Sequence, residues 1–131
     1  MNTTFILRKT AILSFFVASQ VALPQTLPLV SDVDIQPLKA QIDRLIQATD
    51  YLGEPLSAKT KRRLTRAFGQ EDAEKAVAAV QQILDPKCLI GININPESRV
   101  KVNEGQAKRE LVEQGWRSFL VKVNNQARVT A

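Results

Sequence analysis

The hydrophobic positions in the first half of the chain recur with the period of an amphipathic helix. From Ile35 onward they fall mostly three or four residues apart, so that one helix face carries Ile35, Leu38, Ile42, Leu45, Ile46, Thr49 and Leu52. Asp34 precedes this stretch and is expected to cap it. Pro37 is tolerated in the first turn, because its missing N–H would have no partner there, and Gly53 and Pro55 end the helix.

Two shorter helices follow from the same reasoning. The second is predicted over residues 58–68, with Ser57 as its N-cap and Gly69 closing it. Its inner stripe is Thr60, Leu64, Ala67 and Phe68. The third is predicted from about Asp72 to Leu84, and Pro86 prevents it from continuing. Glu71, Asp72 and Glu74 lie at its start, where capping is their expected role. Three short amphipathic helices joined by short loops predict a small helical bundle.

Beyond the third helix the pattern changes to strict alternation, which is typical of strands. Asn95 and Pro96 predict a turn between the first two strands. Residues 104–115 form a polar connection with one helical turn at 109–113, and Asn124 and Asn125 turn the chain into a last segment, 127–131. The alternating apolar positions are Ile90, Ile92, Ile94, Val100, Val102, Phe119, Val121 and Val123.

These elements predict an α+β fold, in which a small helical bundle leads into antiparallel β-strands that begin a β-sandwich-like sheet. We divide the chain into a signal peptide (1–19), an extended leader (20–33), a helical region (34–86) and a β-rich region (87–131). The chain stops within a strand-like run, and an open sheet exposes unpaired edges. This favours a truncated sheet, completed by later residues of a longer protein. The alternative is a complete small α+β domain whose last strand ends at the terminus.

The first residues have the three-part pattern of a secretory signal. Arg8 and Lys9 precede the uncharged, mostly apolar run 10–18, and small residues follow it. This run is short for a membrane span, which needs about 20 predominantly apolar residues. We therefore predict cleavage after Ser19, or alternatively after Ala22, and export to the periplasm or beyond the cell. An uncleaved anchor helix is the alternative, and no stable membrane span is expected after cleavage.

Charge and composition narrow the chemistry that the chain can perform. The 131 residues carry a net charge of +5, and removal of the signal leaves 16 basic and 13 acidic residues, a charge of +3 that is too mild to demand a nucleic-acid partner. Histidine is absent, which excludes histidine-based metal sites and catalytic dyads within this chain. We predict no catalytic, cofactor-binding or metal-binding residue, and no cofactor. Cys88 is the only cysteine; a buried free thiol is the simpler expectation, and pairing with a cysteine elsewhere is the alternative.

Two groups of residues are candidates for a binding surface. On the second helix, basic residues share one face, which suggests a phosphate or anionic polysaccharide site; a solvated helix surface is the favoured interpretation, because charge runs usually solvate a surface. In the β-rich region, Trp116 and the neighbouring cations suggest a face for a sugar or a protein partner. The simpler alternative is that Trp116 fills the junction between helices and sheet while the arginines pair with Glu97 or Glu113. The candidate residues are Arg62, Arg63, Arg66, Arg99, Trp116 and Arg117.

Three segments, DYLGEPLS (50–57), LDPKCLIGININPESRVKV (84–102) and GWRSFLVKVNNQARVTA (115–131), support a resemblance. Together they resemble the N-terminal region of large exported bacterial proteins of the planctomycete type. Some of these proteins continue into a metallohydrolase region of the PHP type (CehA/McbA-like). The resemblance implies a longer polypeptide, but it transfers no catalytic residue, because PHP-type sites are built from histidines and carboxylates. Here the polar connection reads GQAKREL and the last strand NNQARVTA, whereas such relatives are richer in proline and glycine at these places.

Three hypotheses about function follow. The first is a non-catalytic N-terminal region of an exported protein, which supports or presents a downstream domain of the same polypeptide. The second is a binding module for anionic polysaccharide or a protein partner. The third is a fragment of a metal-dependent hydrolase whose active site lies outside this chain.

Overall fold

The described part of the chain folds into three helices followed by three strands. The computed structural model describes residues 26–127, and the predicted signal peptide and nearly all of the predicted last segment lie outside this range. A short 3-10 turn, Asp85–Lys87, joins the last helix to the first strand. The α+β prediction is confirmed. The elements are α1 (Ile35–Tyr51), α2 (Ala58–Phe68), α3 (Ala73–Leu84), β1 (Cys88–Ile94), β2 (Val100–Glu104) and β3 (Leu120–Asn125).

At the two ends of α1, the predicted capping by Asp34 is wrong, and the predicted termination at Gly53 is confirmed. Asp34 occupies the N-cap position, but its side chain makes no capping hydrogen bond, so the predicted cap is wrong in its chemistry. At the other end, Gly53 has a φ of 76°, which suits glycine because it has no Cβ. The N–H of Gly53 donates to the Asp50 carbonyl and that of Glu54 to the Thr49 carbonyl, which satisfies two of the last helical acceptors.

The caps of α2 and α3 are those predicted from the sequence. The Ser57 hydroxyl accepts a hydrogen bond from the Thr60 N–H at 3.2 Å. The Asp72 carboxylate accepts one from the Lys75 N–H at 3.1 Å, and this contact, with the Lys75 ammonium, lowers the pKa of Asp72. Side-chain oxygens at these positions satisfy amide donors that the first helical turn leaves unpaired.

One apolar core joins the three helices. Its buried members come from all three, and they are the positions that the helical period placed on the inner faces. Leu64 and Val80 are the largest fully buried side chains among the described residues. The predicted stripe of α2 is confirmed, since Thr60, Leu64 and Ala67 are buried and Phe68 is half-buried. The core comprises Ile42, Leu64, Ala67, Val80, Ile83 and Leu84.

The three strands form a mixed sheet in the order β2-β1-β3. β1 pairs antiparallel with β2 and parallel with β3, so the prediction of purely antiparallel strands is wrong for β3. The reason is the position of β1 between the other two. Because β2 runs antiparallel to β1, it finishes at the end of the sheet where β1 begins. Residues 105–119 then need only pass across that end of β1 to start β3 there.

The connection between β2 and β3 begins at a tight crossing. The Gly105 N–H donates to the Leu89 carbonyl at 2.8 Å, and the Ala107 N–H donates to the Cys88 carbonyl at 3.1 Å. A Cβ atom on Gly105 would collide with the Cys88 carbonyl. The crossing therefore requires glycine at this position. The predicted helical turn at 109–113 does not form; this stretch has no regular secondary structure before a turn at residues 113–114.

Candidate functional site

The two faces of the sheet have opposite character. Paired residues on neighbouring strands share a face, and successive residues alternate between faces. On one face, which we call the outer face, β-branched apolar side chains run across all three strands. Val102 and Val123, which flank Ile92 in one rung, are each 58% exposed. Glu104 and Asn125 occupy two corners of the outer face, and its apolar residues are Ile90, Ile92, Ile94, Val100, Val102, Val121 and Val123.

The opposite face, which we call the inner face, is polar. One rung contains Gly91, Asn103 and Lys122, and the next contains Asn93, Lys101 and Asn124. The Asn124 side-chain amide donates to the Asn93 amide oxygen at 3.2 Å, which links β3 to β1. The polarity is thus reversed from that of an ordinary half-buried sheet, whose apolar face is the covered one.

An extended segment of residues 27–33, which we call the strap, crosses the inner face. Leu27 is buried against the backbone of Gly91, where an added Cβ would lie 2.8 Å from a Leu27 methyl group. The Gln81 side chain of α3 accepts from the Val30 N–H and donates to the Val30 carbonyl, both at 2.8 Å. These two bonds satisfy the backbone donor and acceptor of Val30, as the backbone of a neighbouring strand would.

A lysine anchors the strap to the sheet and to the end of α3. The Lys122 ammonium donates to the Pro28 carbonyl and to the Asp85 carboxylate, both at 2.9 Å. The side chains of Lys122 and Asp85 are only 16% and 13% exposed, so this ion pair is largely shielded from water. Removing either partner would leave the other charge poorly solvated, which is costly in a buried pair.

Cys88 is the buried free thiol that the simpler expectation described. Its Sγ lies 3.6 Å from the Leu84 carbonyl, which it approaches as a weak donor. Burial raises the pKa of the Cys88 thiol to about 11, with the Asp85 carboxylate adding to the rise and the Lys122 ammonium opposing it. The nucleophilic form of cysteine is the thiolate, so at neutral pH this thiol is unreactive.

The basic residues of α2 lie on the exposed side of the helix. Arg62, Arg63 and Arg66 are all exposed, as the face opposite the core stripe requires. Lys61 differs from them, because its ammonium pairs with the Asp50 carboxylate of α1 at 2.8 Å. No further group in residues 26–127 converges with the three arginines to form a cleft, so the structure leaves them as a solvated helix face.

The other three candidate residues do not come together. Arg99 lies in the β1–β2 turn, where the Asn95 side-chain oxygen accepts from the Arg99 N–H at 2.8 Å, and its guanidinium is 3.9 Å from Glu97. Trp116 and Arg117 precede β3, at the opposite end of the sheet from this turn. Trp116 is 67% exposed, so the expectation that it fills the junction between helices and sheet is wrong.

Arg117 has a structural partner, though not the one expected. Its guanidinium hydrogen-bonds the Glu110 carboxylate at 3.2 Å rather than pairing with Glu113, and this bond lowers the pKa of Glu110. The guanidinium carbon also lies 5.8 Å from the centre of the Phe119 ring, a cation–π distance. Arg117 therefore helps to hold the connection between β2 and β3 in place, and it lies before β3 rather than on a strand.

The residues that sequence reasoning missed are the asparagines of the inner face. The pattern ININ in β1 and VKVNN in β3 contains the signal, because asparagine alternates with isoleucine or valine and must face the other side. With the strap above them, Asn93, Asn103 and Asn124 line a cleft of about 600 Å³. A second, more apolar cleft of about 380 Å³ lies between α1, α3 and β3.

Within residues 26–127, no group of three or more acidic or thiol side chains is arranged to hold a metal ion. In the same range, no helix combines the length and apolarity that crossing a bilayer requires. No known protein family, curated protein or solved structure matches this chain.

Proposed function

We propose that the chain is a non-catalytic structural region of an exported protein, and that its outer face packs against a downstream domain of the same polypeptide. The observation that carries the proposal is the composition of that face. Seven valine and isoleucine side chains cross the three strands, with polar residues only at two corners, Glu104 and Asn125, and the four valines are between 46% and 63% exposed. Contiguous exposed apolar patches mark surfaces that bind other protein surfaces.

The size of the outer face favours a covalently linked partner over a free one. Three strands about 4.8 Å apart, with five paired residues of about 3.3 Å each, span roughly 240 Å². A stable complex between free proteins buries about 800 Å² on each partner. A domain joined by a linker needs far less area, because the linker holds it at an effective concentration in the millimolar range.

A second layer on the outer face would also complete the β-sandwich-like arrangement expected from the sequence. Two sheets that pack face to face interdigitate the side chains of their inner layers about 10 Å apart. Valine and isoleucine suit such a layer because their branched side chains pack well on a pleated surface. The downstream domain is thus proposed to present an apolar sheet or helix face.

Photo-cross-linking in the natural polypeptide tests this proposal. A photoreactive amino acid replaces Val102 on the outer face, and the matched control carries it at the neighbouring Lys101, on the inner face. We expect an intramolecular cross-link from position 102 to residues beyond 131, and none from position 101. A cross-link to a second copy, a cross-link to residues 1–25, or no cross-link at position 102 would each overturn the proposal.

Export is tested separately from packing. We expect the mature protein to begin at residue 20 or 23, because cleavage after Ser19 or Ala22 follows the apolar run. N-terminal sequencing of the protein recovered from the cell envelope or the medium measures this directly. An intact Met1 in a membrane-bound protein would support the anchor alternative instead.

A further inference from the structure

The cleft between the strap and the inner face has the size and lining of a ligand site. Its volume of about 600 Å³ falls within the range of roughly 300–1,000 Å³ typical of small-molecule pockets. The floor is the sheet, and the near wall is the strap. The polar residues that line it are Ser31, Asp32, Asn93, Asn103, Lys122, Asn124, Asn125 and Gln126.

The amides of the floor retain unused hydrogen-bonding capacity. The Asn93–Asn124 bond consumes one donor hydrogen of Asn124 and one lone pair of Asn93. The Asn93 NH₂ group and the Asn124 carbonyl oxygen are therefore still available. Asn103 is half-buried, and within residues 26–127 its side chain makes no hydrogen bond with another residue. A row of amides thus presents both donors and acceptors to the same space.

The charge of the cleft argues against an anionic ligand. Lys122 is the cation that lines it, and this ammonium is already held by the Asp85 carboxylate and the Pro28 carbonyl. Asp32 brings a negative charge to the wall that the strap forms. A negatively charged ligand would therefore meet one repelling carboxylate and no free cation among the lining residues, since Lys101, the other lysine of the inner face, does not line the cleft.

We infer that this cleft binds a neutral oligosaccharide, whose hydroxyl groups pair with the amides of Asn93, Asn103 and Asn124. A hydroxyl both donates and accepts, and so does each side-chain amide, so adjacent sugar hydroxyls match a row of asparagines. No aromatic ring lines the cleft, which removes the stacking contact that strengthens sugar binding. Affinity in the millimolar range follows. This site is separate from the outer face and does not depend on the function proposed for that face.

Nuclear magnetic resonance titration tests the inference, because side-chain NH₂ groups give their own signals. The 131-residue chain is titrated with four neutral trisaccharides, namely maltotriose, cellotriose, mannotriose and tri-N-acetylchitotriose, and with trigalacturonate as the anionic counterpart. We expect at least one neutral sugar to shift the NH₂ signals of Asn93, Asn103 and Asn124 in a saturable way. Trigalacturonate should leave them unmoved.

Matched variants separate binding from folding. Asn103→Leu should weaken the affinity about tenfold, the effect of losing roughly one well-formed hydrogen bond. It should leave the backbone spectrum unchanged, because this side chain has no internal partner to lose; Asn103→Ala serves as a second variant if leucine perturbs the strand. Gln47→Leu, an exposed amide on α1, is the control and should bind normally.

Three results would overturn the inference. One is the absence of saturable shifts with all four neutral sugars up to their solubility limits. Another is a shift caused by trigalacturonate alone, which would point to an anionic ligand. The third is a response confined to α2 around Arg62, Arg63 and Arg66, which would place polysaccharide binding on the basic helix instead.

Discussion

Gly105 passes so close to the β1 backbone that no side chain fits there. Gly105→Ala would drive a methyl group into the Cys88 carbonyl, which belongs to the backbone and cannot rotate away. We expect the free energy of unfolding to fall by about 3 kcal/mol, as for other substitutions that overpack a rigid site. Urea denaturation followed by circular dichroism measures the change.

Gly69→Ala provides the matched control for this substitution. At Gly69 an added Cβ would meet its nearest neighbour, the Arg66 carbonyl, at an ordinary contact distance of 3.6 Å. Its φ of −85° is accessible to alanine. The control should change stability by less than about 1 kcal/mol. Equal effects of the two substitutions would contradict the crossing described for Gly105.

The Cys88 thiol should make stability depend on pH in the alkaline range. Its pKa is about 11 in the folded chain against 9.0 for the ordinary thiol, so the unfolded state loses its proton first. Between pH 9 and 11 the folded state therefore binds more protons, and the free energy of unfolding falls as the pH rises. Below pH 9 both states are protonated and the thiol contributes no slope.

Comparison with Cys88→Ala isolates this effect from those of all other ionisable groups, which the two proteins share. The difference in unfolding free energy between the two proteins, measured by urea denaturation at several pH values, should decrease from pH 9 to 11 and stay constant from pH 6 to 8. A difference that does not change with pH would show that the thiol ionises equally in both states.

The roles of some single residues could be predicted from the sequence, and those of others could not. Ser57 and Asp72 could be assigned as caps because the capping bond joins residues three positions apart. The exposure of Trp116 could not be foreseen, since it depends on how residues 105–119 pass beneath β1. The choice of Glu110 over Glu113 as partner of Arg117 depends on that same path.

At the scale of elements, the two N-caps of α1 and α2 offer a direct comparison. Ser57→Ala removes an observed side-chain hydrogen bond to the first turn of α2 and should cost about 1 kcal/mol. Asp34→Ala removes a side chain that makes no such bond, so a few tenths of a kcal/mol are expected. Thermal unfolding of both variants checks the order, and an equal or larger effect at Asp34 would refute it.

The helices were predictable almost to the residue, whereas the sheet was not. Helix bounds follow from local signals, namely the apolar period, the caps and the glycines that follow. Strand positions also follow from alternation, but strand direction does not, because it depends on which neighbours pair. Only the placement of β1 between β2 and β3 makes β3 parallel to β1. The same pairing decides which face the asparagines share, so the amide cleft could not be found from spacing alone.

At the scale of the whole molecule, the strap joins the helices to the sheet through Gln81. Gln81→Leu leaves the Val30 N–H and carbonyl without their partner and should cost about 1–3 kcal/mol. It should also speed proteolysis within residues 26–33, because the segment loses its hold on α3. Limited proteolysis with mass spectrometry locates the cleavage.

Gln82→Leu is the control for this effect. Gln82 is the next residue of α3 but points to solvent, so its replacement should leave both stability and the cleavage pattern nearly unchanged. If Gln81→Leu left the strap as resistant as the control does, the bonds to Val30 would not be what secures it.

The anchoring of the strap has a consequence for the order in which the chain acquires its structure. The strap is synthesised well before its hydrogen-bonding partners. Gln81 follows Val30 by 51 residues, and Lys122 follows Pro28 by 94. Until Lys122 emerges, the strap is held only by Gln81 and by the packing of Leu27 on Gly91, and it lacks the contact that ties it to β3. The strap is thus fully anchored only when β3 has been synthesised.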